Sequence, residues 1–423
     1  MSGPSTTVAP SAVTRPHWVV LALTFIAVVL DGYDTIALGL SIPALSKDWG
    51  VSASHFTPAL ALTSLGVALG YIAVGQLVAR FGCRRVILAA VLVFTVGSLL
   101  TAWASSIWEL TALRFVTGLG LGAVLPAAVA HATALNPARL RQSITVFVTM
   151  GISLGALIAG LLGSKLIGAY GWPSVFVAGA IASAVLFPLL WLGLPDEHAV
   201  LGTVEPAAAK HNASVARLFD AGVRTRTVLL WGFSFLVFGV FYIFSSWLPT
   251  LLTSYGFTTG LAPLGSAALG VGSIIGAGVL MVGVLRFRMT SVLMITTMLA
   301  IVFLIVSGFL GADKALLLIV FGGVGLGLQA GMIGQAAVAV SLYPAGTAAT
   351  GVGWAASMGR IGSVLGPIVG GALIALGTST STIVFLACVP MLGALALIAA
   401  LGRISARKVS DSPDRAVAAA IRG

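Results

Sequence analysis

Two acids, Asp31 and Asp34, stand inside the apolar stretch WVVLALTFIAVVLDGYDTIALGLSIPAL, residues 18–45. A charge at mid-bilayer costs about 2.5–3.5 kcal/mol on insertion scales, so acids there are rare and usually face a water-filled path or a partner. At a spacing of i and i+3 the two share a helical face. Carboxylates this close resist ionising together, so one of them is suited to carrying a proton. A break at Asp31-Gly32, with the acids satisfying loosened backbone, is the alternative reading.

Two arginines also fall within apolar runs. Arg360 lies about ten residues into the eleventh run, which at a rise of about 1.5 Å per residue places it near the bilayer midplane. Its permanently charged, fork-shaped guanidinium suits a carboxylate, so it is the leading candidate for holding an anionic substrate. A fixed ion pair with Asp31 or Asp34 is the other possibility. Arg114, in the fourth run, is expected at the depth of Asp34, where it pairs with the acids or snorkels to the interface. His131 near the end of that run could pass a proton, although a lone helix-end histidine is more often a satisfied polar group. Glu109, at its start, fits a helix-dipole charge.

The seventh run carries Trp231, Phe233, Phe235, Phe238, Phe241, Tyr242, Phe244 and Trp247. Phe238, Phe241, Tyr242 and Ser245 share one face and could stack on a planar ring, with the hydroxyls meeting its polar groups. Aromatics facing lipid or belting the interface would look the same. Gln329 and Gln335 in the tenth run suit ring hydroxyls or interhelical hydrogen bonds.

The elements that must position these groups are membrane helices. With 59% hydrophobic and 8% charged residues and a mean hydropathy of +1.11, the 423-residue chain has too little charge to cover a water-facing surface. Twelve apolar runs span roughly 18–45, 54–78, 86–105, 109–134, 143–166, 173–194, 228–251, 261–284, 289–310, 315–341, 350–376 and 380–402. Of the 22 Lys and Arg, only Lys47, Lys165 and Lys314 fall on the opposite side from the rest, and only Arg114 and Arg360 within spans. The net charge of +11 thus reports topology, with both termini cytoplasmic, and not a nucleic-acid surface. Residues 1–17 are expected to be a disordered cytoplasmic tail before a retained first helix. Residues 195–227 read as a cytoplasmic linker between bundles at 18–194 and 228–402, and 403–423 as a second tail. Cys83 and Cys388 show no disulfide or metal spacing and read as structural. The sequence has no Walker-type phosphate loop, no metal cluster and no nucleophile–base set with a credible address, so no cofactor, metal, pump or enzyme chemistry is expected.

The halves repeat. Gly120-Leu121-Gly122 matches Gly325-Leu326-Gly327 and Pro137 matches Pro344, at an offset of 205 to 207 residues. The expected fold is therefore an all-α membrane protein of twelve transmembrane helices in two pseudo-symmetric six-helix bundles, with the site between them.

The loop GQLVARFGCRR (75–85), carrying Gly75, Arg80, Gly82, Arg84 and Arg85, resembles the G-x-L-x-D-R-x-G-R-R gating loop of the major facilitator superfamily. With DGYD, Arg114-x-x-x-Gly118 and the run from Thr350-Gly351-Val352-Gly353 to Gly359-Arg360-Ile361-Gly362, the chain is similar to that superfamily's aromatic acid:proton symporters. The resemblance implies a secondary transporter of the cell inner membrane. It would import a small aromatic, benzoate-type acid with protons, using Asp31, Asp34 and Arg114 for coupling, and act as a monomer. Export, another organic acid, or a non-transporting sensor are the alternatives. The glycine and proline pattern Gly362-x-x-x-Gly366-Pro367-x-x-Gly370-Gly371 resembles one that antiporters carry in helix 5. It stands here in helix 11, which speaks against drug efflux.

Three charges that relatives keep at the cytoplasmic gate are missing: Ala79 replaces the loop Asp, Ala348 an Arg and Ala134 a Glu. Losing acid and base together leaves little unpaired charge in a low-dielectric contact, so the gate is expected to close by packing. Ala79→Asp should then leave uptake unchanged or lower it. A strong gain in rate in a transport assay would contradict a packing gate.

Overall fold

The computed structural model describes residues 17–196, 218–220, 223–311, 313–343 and 345–410. The N-terminal tail, most of the linker and the last part of the C-terminal tail expected from sequence lie outside these residues. Twelve helices among them are long and apolar enough to cross a membrane. They are α1 (Trp18–Trp49), α2 (Thr57–Phe81), α3 (Cys83–Thr101), α4 (Ile107–Ala134), α5 (Arg141–Tyr170) and α6 (Pro173–Gly193), then α7 (Arg224–Thr253), α8 (Leu264–Gly283), α9 (Met289–Phe309), α10 (Lys314–Leu342), α11 (Ala345–Ala375) and α12 (Thr380–Ser410). Several outrun the apolar stretches, because hydropathy marks the hydrocarbon thickness while the helix continues into the polar interface. Lys47 extends α1, and Arg224 and Arg226 begin α7.

Close approach within each half rests on glycine. A Cβ on Gly118 or Gly122 of α4 would run into Thr63 or Val67 of α2, and one on Gly120 would meet Ala90 of α3. In the second half Gly325 of α10 presses against Leu269 of α8, and Gly327 against Thr296 and Ala300 of α9. The structural counterparts are therefore Gly118 with Gly325 and Gly120 with Gly327, an offset of 207 residues shared by Pro137 and Pro344. The sequence pairing of Gly120 with Gly325 was two residues out of register, because a Gly-x-Gly-x-Gly run aligns with itself at either step.

Between the halves, α1 packs on α7, α2 on α11 and α5 on α8. The tight contacts lie on the side away from the basic α2–α3 loop. A Cβ on Gly39 of α1 would come to 2.7 Å from the Ser246 carbonyl of α7, one on Gly160 of α5 to 2.8 Å from Ala267 Cα, and one on Gly371 of α11 to 2.9 Å from Thr57 Cβ. This face is sealed. Toward the basic face a cavity of about 360 Å³ lies between the halves. Its wall includes Thr145, only four residues from the start of α5, and Ala336 and Val352 near the corresponding ends of α10 and α11. The protein is therefore open on its basic side.

Gly39 and Gly278 make a paired test of this packing. Gly278 of α8 has open space where its Cβ would stand, so Gly278→Ala should be neutral or stabilising by up to about 1 kcal/mol through helix propensity. Gly39→Ala must push α1 from α7 and should lower the thermal midpoint measured in detergent.

Candidate functional site

Helix α1 runs unbroken through Asp31-Gly32, which removes the helix-break reading. Gly32 is held against the Ile152 backbone of α5, while Gly155 of α5 is fitted between Val29 and Tyr33. This interlock, with the Tyr33 hydroxyl donating to the Val175 carbonyl at 2.9 Å, fixes the rotation of α1 and so the direction of both acids.

The acids part company. Asp34 Oδ2 accepts from Arg114 Nη1 at 3.2 Å, and both side chains are buried, Arg114 completely. Arg114 Nη2 donates to Ser98 Oγ and Thr117 Oγ1, each at 3.0 Å, and Ser98 donates to Asp34 Oδ1. Phe176 of α6 covers the guanidinium with its ring centroid 5.1 Å away. The ion pair and the hydroxyl hydrogen bonds supply the condition under which burial of two charges is sustained, while Arg114 Nε has no hydrogen-bond partner among the described residues. Asp31 stands one turn earlier and lines the cavity, where its Oδ1 accepts from Thr35 Oγ1 at 3.4 Å.

Arg360 reaches into the same cavity from α11. Its Nη1 donates to the Tyr242 hydroxyl at 3.4 Å, and its Cζ lies 4.7 Å from the centroid of the Tyr71 ring on α2. Neither Arg360 nor Asp31 forms an ion pair among the described residues. Of the fixed Arg360 pairs expected as an alternative, the one with Asp34 is precluded because Arg114 holds that acid, and Asp31 attracts Arg360 across the cavity without an ion-pair contact. Cation–π contact is a weaker neutraliser than a carboxylate, so Arg360 is left able to take an anion.

The remaining candidates divide by position. Phe238, Phe241, Tyr242 and Ser245 all line the cavity, as their shared face implies. Their neighbours do not: Phe233, Phe244 and Trp247 are fully buried in the second half, and Trp231 stacks on Trp354 at 5.5 Å. Gln329 and Gln335 both line the cavity, and Gln335 Oε1 also accepts from Ser234 Oγ at 3.1 Å. Glu109 takes part in the start of α4, accepting from Ser105 N and Oγ at 3.0 Å while its own N–H donates to Ser106 Oγ.

The loop residues lie apart, on the basic face. Gly82 joins α2 to α3 at φ +81°, a backbone shape that favours glycine. Arg84 Nη2 donates to the Trp191 carbonyl at 2.6 Å, Arg80 lies over Phe81, and Gly75 and Arg85 are exposed. Sequence reasoning missed Tyr71, Thr35, Ser266 and Ser273, all in the cavity wall. Tyr71 offered a signal, as the lone tyrosine of α2. The small hydroxyls did not, being indistinguishable from the many that bond their own helix.

Two six-helix halves around a cavity reached from one face define a membrane transporter of the alternating-access type. The Major Facilitator Superfamily model matches residues 24–360, and the chain belongs to that superfamily, whose members are transporters and not enzymes. It is 30% identical over 417 residues to the gallate transporter of Pseudomonas putida, covering 92% of this chain and 93% of that one. It is 31% identical over 405 residues to the 4-hydroxybenzoate transporter PcaK of Pseudomonas putida, covering 89% and 90%. Among solved structures it resembles the D-xylose-proton symporter at a TM-score of 0.72 and 17% identity, over 90% of this chain and 97% of that chain.

The division of the acids predicts different defects. Asp34→Asn strands the buried Arg114 charge and should cost about 3–5 kcal/mol of stability, partly restored by adding Arg114→Gln. Asp31→Asn removes a cavity group with no ion-pair partner among the described residues and should leave the thermal midpoint nearly unchanged. Equal loss in both variants, measured on purified protein, would contradict the division.

Proposed function

We propose that the protein imports a small aromatic, benzoate-type carboxylic acid together with protons across the cell inner membrane, by alternating access. The basic face and both termini are cytoplasmic in this reading. In the same reading the chain acts as a monomer. The observation that carries the proposal is Arg360, a cation without an ion-pair partner among the described residues, set among Tyr71, Phe238, Phe241 and Tyr242. The gallate and 4-hydroxybenzoate transporters it resembles along nearly their whole length support the same substrate class.

The substrate carboxylate replaces the tyrosine contacts of Arg360 with a charge-assisted, two-pronged hydrogen bond. The ring then lies among the aromatic side chains. Asp34 stands one turn nearer the outer face than Asp31, so a proton arriving from outside meets Asp34 first. Arg114 compensates Asp34 once that proton has moved to Asp31. With carboxylate on Arg360 and a proton on Asp31, the cavity carries no net charge. The halves can then rock past one another without dragging an uncompensated charge through the low-dielectric interface. Gly75, Arg80, Gly82, Arg84 and Arg85 act at the cytoplasmic closure, which is open in the state described above.

Uptake of labelled benzoate and 4-hydroxybenzoate into proteoliposomes under an inward proton gradient tests this. Accumulation should require the gradient, collapse with a protonophore and vanish in Asp31→Asn. Arg360→Gln should raise KM by about 10- to 100-fold, the size expected from losing a charged hydrogen bond. Accumulation that survives Asp31→Asn would make that carboxylate structural. Gradient-driven loss of acid from loaded vesicles would reverse the direction to export.

A further inference from the structure

Within the membrane helices, buried hydroxyls usually return to their own backbone. Ser41, Thr63, Ser183 and Ser234 donate to the carbonyl four residues earlier at 2.8, 2.6, 2.8 and 2.9 Å. Ser266 does not. It sits in the first turn of α8, is only 3% exposed, lines the cavity, and its Oγ has no hydrogen-bond partner among the described residues. The residue four earlier, Ala262, belongs to the turn before the helix, and its carbonyl accepts the Gly265 N–H at 3.1 Å. A buried hydroxyl left over in this way is costly, and each such group in a folded protein calls for an explanation.

Its position supplies one. Ser266 lies toward the sealed end of the cavity, where Gly160 of α5 closes on Ala267. Arg360 enters near the middle of α11. A benzoate-type acid with its carboxylate on Arg360 can direct its far ring position away from that cation and toward the sealed end. A neutral hydroxyl there can both give and take a hydrogen bond, and so suits a neutral phenol better than a second anion. Ser245 of α7, 7% exposed, adds a second hydroxyl to the same cavity wall.

We infer that Ser266, assisted by Ser245, forms a ring-hydroxyl subsite that makes the protein prefer ring-hydroxylated aromatic acids to unsubstituted ones. This rests on the aromatic-carboxylate reading above. A site built to hydrogen-bond a substrate hydroxyl discriminates against the analogue lacking it, because its own polar group is then left unpaired.

The test is competition between unlabelled 4-hydroxybenzoate and benzoate for labelled uptake in wild type, Ser266→Ala and Ser266→Thr. Wild type should prefer the hydroxylated acid. Ser266→Ala should narrow that preference by about 3- to 10-fold, through weaker binding of 4-hydroxybenzoate alone. Ser266→Thr keeps the hydroxyl and should keep the preference, and Ser245→Ala should shift the ratio in the same direction as Ser266→Ala. The ratio is internal to each variant, so a smaller amount of protein in the membrane cancels. An unchanged ratio in Ser266→Ala, an equal loss for both acids, or a wild type without preference would each overturn the subsite. If wild type takes up neither acid, the carboxylate reading itself fails and the subsite falls with it.

Discussion

The constraint on which this structure depends is the cost of holding charge away from water. Four charged side chains, Asp31, Asp34, Arg114 and Arg360, are placed in the membrane-spanning helices around the cavity, and the fold treats them in two ways. Asp34 and Arg114 neutralise each other within the first half, inside a set of hydroxyl donors and acceptors and under the Phe176 ring. Among the described residues, Asp31 and Arg360 are left in the cavity with hydroxyl and ring contacts and no ion pair. The first pair tolerates burial in any state of the protein. The second two offset each other across the cavity without touching, so Arg360 is open to a substrate carboxylate and Asp31 to a proton.

That division needs a rigid α1. Asp31 and Asp34 are three residues apart, so a modest rotation of the helix would exchange their surroundings. Gly32 against Ile152 and Gly155 against Val29 and Tyr33 leave no room for that rotation. The same device, bare backbone against backbone, also sets α4 between α2 and α3, and α10 between α8 and α9. Glycine is thus the means by which a chain of mostly interchangeable apolar residues acquires one definite packing.

Much of this was legible in the sequence. Twelve runs, the repeat, the buried acids and the face shared by Phe238, Phe241, Tyr242 and Ser245 all follow from polarity and helical period. What polarity could not express was which partner each charge finds. Arg114 and Asp34 are 80 residues apart, and nothing local separates Asp34 from Asp31. Tyr71 and Ser266 escaped for a related reason: an aromatic or a hydroxyl in an apolar helix signals function only once its neighbours fail to absorb it. The repeat offset was ambiguous because glycines at every second position match at either step, and only the contacts of Gly118 and Gly120 chose between them.

The central claim is that Asp31, and not the sealed Asp34–Arg114 pair, gains the proton that accompanies the acid. It is tested most directly by proton exchange on binding, with benzoate added to purified protein in weak buffer. The account predicts proton uptake on binding in wild type, with affinity strengthening as pH falls, and no uptake and a flat pH dependence in Asp31→Asn. Proton uptake of the same size in Asp31→Asn would contradict it.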